Sequence, residues 1–152
     1  PIDGLRPVQA RWNVTMASLT KRATWVATTF MTPISWASSA SIAARYLRRW
    51  GYKILERNYR TAAGEADLVC VKDDTVVLVE VKTRLSLGKE DDGMPELAVN
   101  GEKQKRYRGI AETFLSVSTQ FHQVRFDVIA IKIVAEHSAK LRHLIGAYEA
   151  DD

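Results

Sequence analysis

The sequence predicts an α/β fold over residues 40–150, a mixed central sheet flanked by helices, preceded by an extension at residues 1–39. Three observations predict it. Apolar residues recur at helical spacing in 41–50 and again in 100–116. Between them, 52–82 carries apolar, β-branched runs broken by turn residues. The resulting order, helix–strand–strand–strand–helix–strand, is one in which helices can cover both faces of a sheet.

The first helix follows from Ala43, Tyr46, Leu47 and Trp50 at i, i+3, i+4 and i+7, with Arg45, Arg48 and Arg49 on the opposite face and Gly51 as the stop. Its start is expected near Ser38–Ser41. Residues 52–60 read as a strand, and Thr61–Gly64 as a turn. Residues 65–72 and 75–82 form two further strands, joined through Asp73-Asp74 as a hairpin. Val76-Val77-Leu78-Val79 is apolar at every position, as expected of a central strand covered on both faces. A charged, glycine-containing loop is expected at 85–95. Asn100 can cap a second helix reaching about Ser116, with Tyr107, Ile110, Ala111, Phe114 and Leu115 as its buried stripe. Gly109 inside that helix costs roughly 1 kcal/mol against alanine. Residues 124–133 give another strand and 141–148 a short terminal element.

Composition excludes several function classes. The 152 residues, 46% of them apolar and 26% charged, are globular rather than disordered. The single Cys70 permits no internal disulfide and no cysteine zinc cluster. His122, His137 and His143 lack ligand-like spacing and are expected as surface or packing groups. No apolar run reaches about 18 residues, which excludes a membrane-spanning helix. Of the net charge of +4, residues 1–39 contribute +3, so the basic balance says little about the rest of the chain. That segment has no Asp or Glu after Asp3, holds three of the four tryptophans and has no clean periodicity. It reads as a targeting leader, as a poorly ordered tail, or as sequence out of frame.

The chemistry concentrates in Gly64-Glu65-Ala66-Asp67-Leu68-Val69 and Val79-Glu80-Val81-Lys82-Thr83-Arg84. Strand residues two apart share a face, so Glu65 goes with Asp67 and Glu80 with Lys82. A hairpin between the two strands could bring three carboxylates and one amine to one spot. Set among Leu and Val, such charges are costly unless paired or bound to metal. Hard carboxylate oxygens with open water positions suit Mg²⁺. An ion held there could activate water against a phosphodiester, with the lysine orienting the nucleophile. A bare Glu-x-Lys is more often a buried ion pair, Lys82 with Glu80 or Asp67. The Gly-Glu-x-Asp upstream changes that weighing.

Gly-Glu-x-Asp-Leu followed by Val-Glu-Val-Lys-Thr-Arg resembles the YraN family of small bacterial proteins. It also fits the broader PD-(D/E)XK nuclease pattern at Asp67, Glu80 and Lys82. The resemblance runs in order over most of 42–148, through Ala44-Arg45-Tyr46-Leu47, Gly51-Tyr52, Arg57-Asn58-Tyr59-Arg60, Ala98-Val99, Lys103-Gln104 and Arg125-Phe126-Asp127-Val128. It implies a restriction-endonuclease-like core and a Holliday-junction-resolvase-like endonuclease using Mg²⁺ or Mn²⁺. Asp67, Glu80 and Lys82 would be catalytic, and Asp67, Glu80 and Glu65 would hold metal. The expected partner is nucleic acid, DNA first, with contacts from Arg60, Arg84, Lys103 and Gln104. No membrane is expected, a homodimer is left open, and the expected location is cytoplasmic. The alternative is a nucleic-acid-binding module of the same fold without the chemistry. Asp127 beside Arg125 is expected as a structural ion pair, and Cys70 as a small core residue.

One departure stands out. The family's first helix resembles Gly-x-x-Gly-Glu-x-x-Ala. Aligned on Ala43, this chain places Trp36, Ser39 and Ala40 where the glycines and glutamate belong. Trp36–Ser41 reverse-translated and read two bases later permits Gly-Glu-Leu-Gly-Glu-His, which is the ground for the out-of-frame reading.

Overall fold

Helix α1 (Ser39–Arg49) starts where Ser38 can cap it: the Ser38 Oγ accepts from the Ser41 backbone N–H. Ile42, Ala43, Ala44, Tyr46 and Leu47 form its buried face. Trp50, expected on that face, is 49% exposed instead. The cause is the way the helix ends. The Gly51 N–H bonds to the Arg48 carbonyl and the Tyr52 N–H to the Leu47 carbonyl, with Gly51 at φ +83°. This is a Schellman closure, in which the residue after the glycine folds back onto the last turn. Tyr52 thereby takes the buried place beside Leu47 and leaves Trp50 outside.

Strands β1 (Arg11–Trp12) and β2 (Thr24–Phe30) precede α1. After it come β3 (Lys53–Thr61), β4 (Gly64–Lys72), β5 (Thr75–Leu85), helix α2 (Gly101–Val117), β6 (Gln123–Ala135) and β7 (Ser138–Leu144). The computed structural model describes residues 11–12, 24–30, 38–85, 99–135 and 138–147. The rest of 1–39, and the expected charged loop from residue 86 on, lie outside the described residues. The main path of the sheet runs β2-β7-β6-β5-β4-β3, and β1 pairs with β6 beside it. The β5–β6 and β1–β6 pairs are parallel and the others antiparallel, so the sheet is mixed. The parallel step from β5 to β6 requires a crossover, which contains α2.

The two helices cover opposite faces. On the α1 side lie Leu68, Cys70, Val77, Val79, Ile129 and Ile131, with Val81 packed at the margin. On the α2 side lie Ala66, Val69, Val76, Leu78, Val124 and Phe126 against Tyr107, Ile110, Ala111, Phe114 and Leu115. Val76 to Val79 are fully buried, as an all-apolar central strand must be. Each such side chain contributes about 1.5–3 kcal/mol of burial. Asn100 Oδ1 accepts from the Lys103 N–H at 3.0 Å and starts α2 at the expected place. Both residues of the β4–β5 turn, Asp73 and Asp74, have positive φ (49° and 62°), the type I′ geometry that suits a two-residue hairpin.

Gly109 has a packing reason. A Cβ there would stand 2.7 Å from the Ala63 Cβ, so α2 rests its backbone directly on the β3–β4 turn.

Candidate functional site

The site begins with a break in the pleat of β4. Ala66 packs on the α2 side and Leu68 on the α1 side, although strand residues two apart normally share a face. Asp67 stands between them. Across β3 its neighbour is Asn58, flanked by the Arg57–Leu68 and Tyr59–Ala66 pairs and itself at φ +50°. Asparagine tolerates that region better than most residues. On the other side the β4–β5 register begins at Leu68–Val79. Beyond that pair, the Asp67 Oδ2 takes the Val81 backbone N–H at 2.7 Å. The carboxylate therefore sits in the seam of the hairpin, where the two strands part.

Burial raises the Asp67 pKa above its ordinary value, against the lowering pull of the Val81 hydrogen bond. Glu80 and Glu65 raise it further and Lys103 lowers it. Asp67 is thus a desolvated carboxylate beside two others that have cationic partners, Glu80 with Lys103 and Glu65 with Arg60.

Glu80 points to the α2 side and is 9% exposed. Its Oε1 is ion-paired to the Lys103 Nζ from the first turn of α2. Its Oε2 is buried and has no hydrogen-bond partner. Val99, Tyr107, Phe126 and Val128 line the same recess. Burial, reinforced by Glu80 and Asp67, raises the Tyr107 pKa, so its phenol is neutral at physiological pH.

The other expected residues fall as follows. Lys82 shares Glu80's side of β5 by alternation and is half-buried. Glu65 is paired with Arg60 at 2.9 Å near the surface, where such pairs contribute about 0–1 kcal/mol. The Gln104 side-chain amide donates to the Val99 carbonyl at 3.0 Å and ties down the entry to α2. Arg84 is exposed further along β5. Among the described residues, no group of three or more His, Cys, Asp or Glu side chains is placed to hold a metal ion.

Two carboxylates still fit a hard cation. Asp67 is desolvated, and one Glu80 oxygen is orphaned. Mg²⁺ commonly takes only one or two protein carboxylates and completes its shell with water and substrate phosphate.

To the expected Lys82 and Arg84 the register adds three cations that sequence reasoning missed, Lys132, Lys140 and Arg142. Lys82 is beside Ala130, and Ala130 beside Arg142; Arg84 is beside Lys132, and Lys132 beside Lys140. Two rows, about 7 Å apart along the strands, carry five basic residues outward from Glu80. The strands that align them are distant in sequence, so no local motif signals them.

The opposite face holds a second polar group. Asp127, on β6, accepts from Arg125 Nε and Nη2 at 2.9 Å each, from the Gly146 N–H at 3.0 Å, and from His143 Nε2 at 2.8 Å. The expected Arg125–Asp127 ion pair is present. His143 is a packing group, 1% exposed, with its Nδ1 3.2 Å from the Tyr46 hydroxyl. Arg125 Nη2 also donates to the Tyr52 hydroxyl at 2.8 Å. Burial would raise the Asp127 pKa, but the His143 and Arg125 hydrogen bonds and charges hold it below the usual value. Burial lifts Tyr46 and Tyr52 to about 12. Asp127 is paired with Val79 in the register and faces away from Glu80, so this network braces the sheet behind the site.

Among the described residues, no helix is long and apolar enough to cross a membrane. The profile of Uncharacterised protein family UPF0102 matches residues 41–131, which contain Asp67, Glu80, Lys82 and Asp127. A UPF0102 protein of Syntrophomonas wolfei is 45% identical over 108 residues, 70% of this chain and 90% of that protein. One from Rhodococcus opacus is 41% identical over 113 residues, 74% and 93% respectively. One from Geobacter sulfurreducens is 39% identical over 109 residues, 71% and 83%. On the family profile and on these identities, the chain belongs to the UPF0102 (YraN) family.

Proposed function

We propose that this protein is a metal-dependent, Holliday-junction-resolvase-like endonuclease that hydrolyses phosphodiester bonds in DNA. The observation that supports it most is that Asp67, bonded to the Val81 N–H in the seam of the hairpin, feels the charge of Glu80, whose Oε2 is buried and unpartnered. Asp67 and Glu80 would hold Mg²⁺ or Mn²⁺, which when bound lowers the pKa of a coordinated water and polarises the phosphoryl group. Lys82, on the same side two residues on, would orient the nucleophile and offset charge on the phosphate. Beyond Glu80, the exposed Arg84 and Lys140 and the half-buried Lys82 and Arg142 suit a polyanionic backbone, whereas Lys132 between them is buried. Lys103 would release Glu80 as the cation enters, freeing its ammonium for substrate.

A second reading has its own support. Lys103 already neutralises Glu80, and no three-ligand group occurs among the described residues. The same surface would then bind nucleic acid without cutting it.

The test is incubation of the full chain with branched, nicked and single-stranded DNA in the presence of Mg²⁺ or Mn²⁺. The endonuclease reading expects metal-dependent cleavage that falls about 10²-fold or more in Glu80→Ala and in Lys82→Ala. Salt-sensitive binding with no cleavage of any substrate would replace it with the binding module.

A further inference from the structure

We propose that the C-terminal end of α1 is a second nucleic-acid contact, a stacking platform for unpaired bases centred on Trp50. The inference rests on the nucleic-acid reading above and names the kind of substrate it requires. Trp50 is 49% exposed and aromatic, whereas the exposed Leu85 and Val117 are aliphatic. The Schellman closure holds it outside the core, and the Tyr46 ring lies behind it, centroids 6.3 Å apart. Lys72 Nζ donates to the Trp50 carbonyl at 2.7 Å, which fixes the indole's backbone to the end of β4. Arg45, Arg48 and Arg49 project from the exposed side of α1, which carries no acidic residue.

Arginines in a last turn have a bland role, since they complement the helix macrodipole. That role explains neither a half-exposed indole nor Arg45, one turn earlier. An aromatic surface bordered by cations is how proteins grip single strands: bases stack on the ring and phosphates meet the charges. The charge selects a polyanion over a second apolar surface. Aspartates 73 and 74 are exposed at the neighbouring turn and limit the patch on that side.

Position defines the substrate further. Lys72 and Asp67 are five residues apart on β4, about 17 Å. Trp50 belongs to the α1 side of the sheet and Glu80 to the α2 side, so the substrate implied is DNA with an unpaired stretch that passes round the sheet from the phosphodiester at Asp67 and Glu80.

Fluorescence anisotropy with a labelled oligothymidylate and with a duplex of equal length tests this on the full chain. Trp50→Ala should weaken single-strand binding about ten-fold or more, Trp50→Phe should retain most of it, and duplex binding should change little. Arg48→Ala/Arg49→Ala should make the salt slope for the single strand shallower by about 1.4. Trp50→Ala binding the single strand within two-fold of wild type would overturn the platform. So would equal losses on single strand and duplex, or competition by polyglutamate as effective as by oligothymidylate. If wild type binds neither nucleic acid, the functional reading falls as well; if it cleaves DNA and Trp50→Ala is silent, only the platform falls.

Discussion

Asp127→Ala should be the most damaging single substitution in the chain. It leaves the Arg125 guanidinium, the His143 imidazole and the Gly146 N–H without their acceptor in a fully buried position. Removing one partner of a buried charge pair costs about 3–5 kcal/mol, against a total stability of about 5–15 kcal/mol for a domain. Denaturant unfolding at pH 7 should show a fall of that size, with a melting temperature lower by about 10 °C. Asp127→Asn keeps the shape and should lose less. The pH dependence provides a second check. Unfolded, the carboxyl takes its proton near 3.8; folded, only at lower pH. Its contribution is therefore present above pH 3.8 and disappears as pH falls through the folded value. Wild type should lose stability there, and Asp127→Asn should lose less. A flat difference between the two proteins from pH 7 to pH 2 would refute the assignment.

Asp67→Asn should do the reverse to stability. Asp67 has its pKa raised, chiefly by burial, so its ionised form is disfavoured in the folded state. The penalty is absent below the unfolded value of 3.8 and grows as pH rises through the folded one. Asparagine still offers an oxygen to the Val81 N–H without the charge. We expect Asp67→Asn to gain about 0.5–2 kcal/mol at pH 7 and nothing at pH 3. On the endonuclease reading it should also lose Mn²⁺ binding by calorimetry and DNA cleavage. A variant less stable than wild type at pH 7 would show that the carboxylate serves the fold.

Much of this architecture was legible in the sequence because it is written in local periodicity. Asn100 and the stripe from Tyr107 to Leu115 fixed α2 in advance, and the run Val76–Val79 identified the covered strand. Of the site, the residue types and their strands were legible, but their partners were not. Lys103, expected to meet phosphate, meets Glu80, because the cap at Asn100 turns the first turn of α2 towards β5. The break at Asp67 depends on backbone angles at Asn58 that no pattern of apolar residues encodes. Trp50 fitted the helical repeat yet lies outside, because closure at Gly51 gave the buried place to Tyr52, two residues on. His143 reaches Asp127 only through the pairing of β6 with β7.

The contact between Gly109 and Ala63 sets a limit on how this protein can be improved. Helix propensity alone recommends Gly109→Ala, a gain of about 1 kcal/mol. With only 2.7 Å available to the new methyl carbon, the helix or the turn would have to retreat. Gly64, at the start of β4, is restricted differently: its φ of +145° disfavours a side chain, while the Arg106 side chain 2.5 Å from a Cβ there is flexible. Gly109 against Ala63 acts as a gauge block between α2 and the hairpin, fixing how deep the Lys103 end of the helix sits over Glu80. Thickening it would stabilise the helix taken alone and lift Lys103 away from the carboxylate, so a stability screen scored on the isolated segment would select against the assembled site.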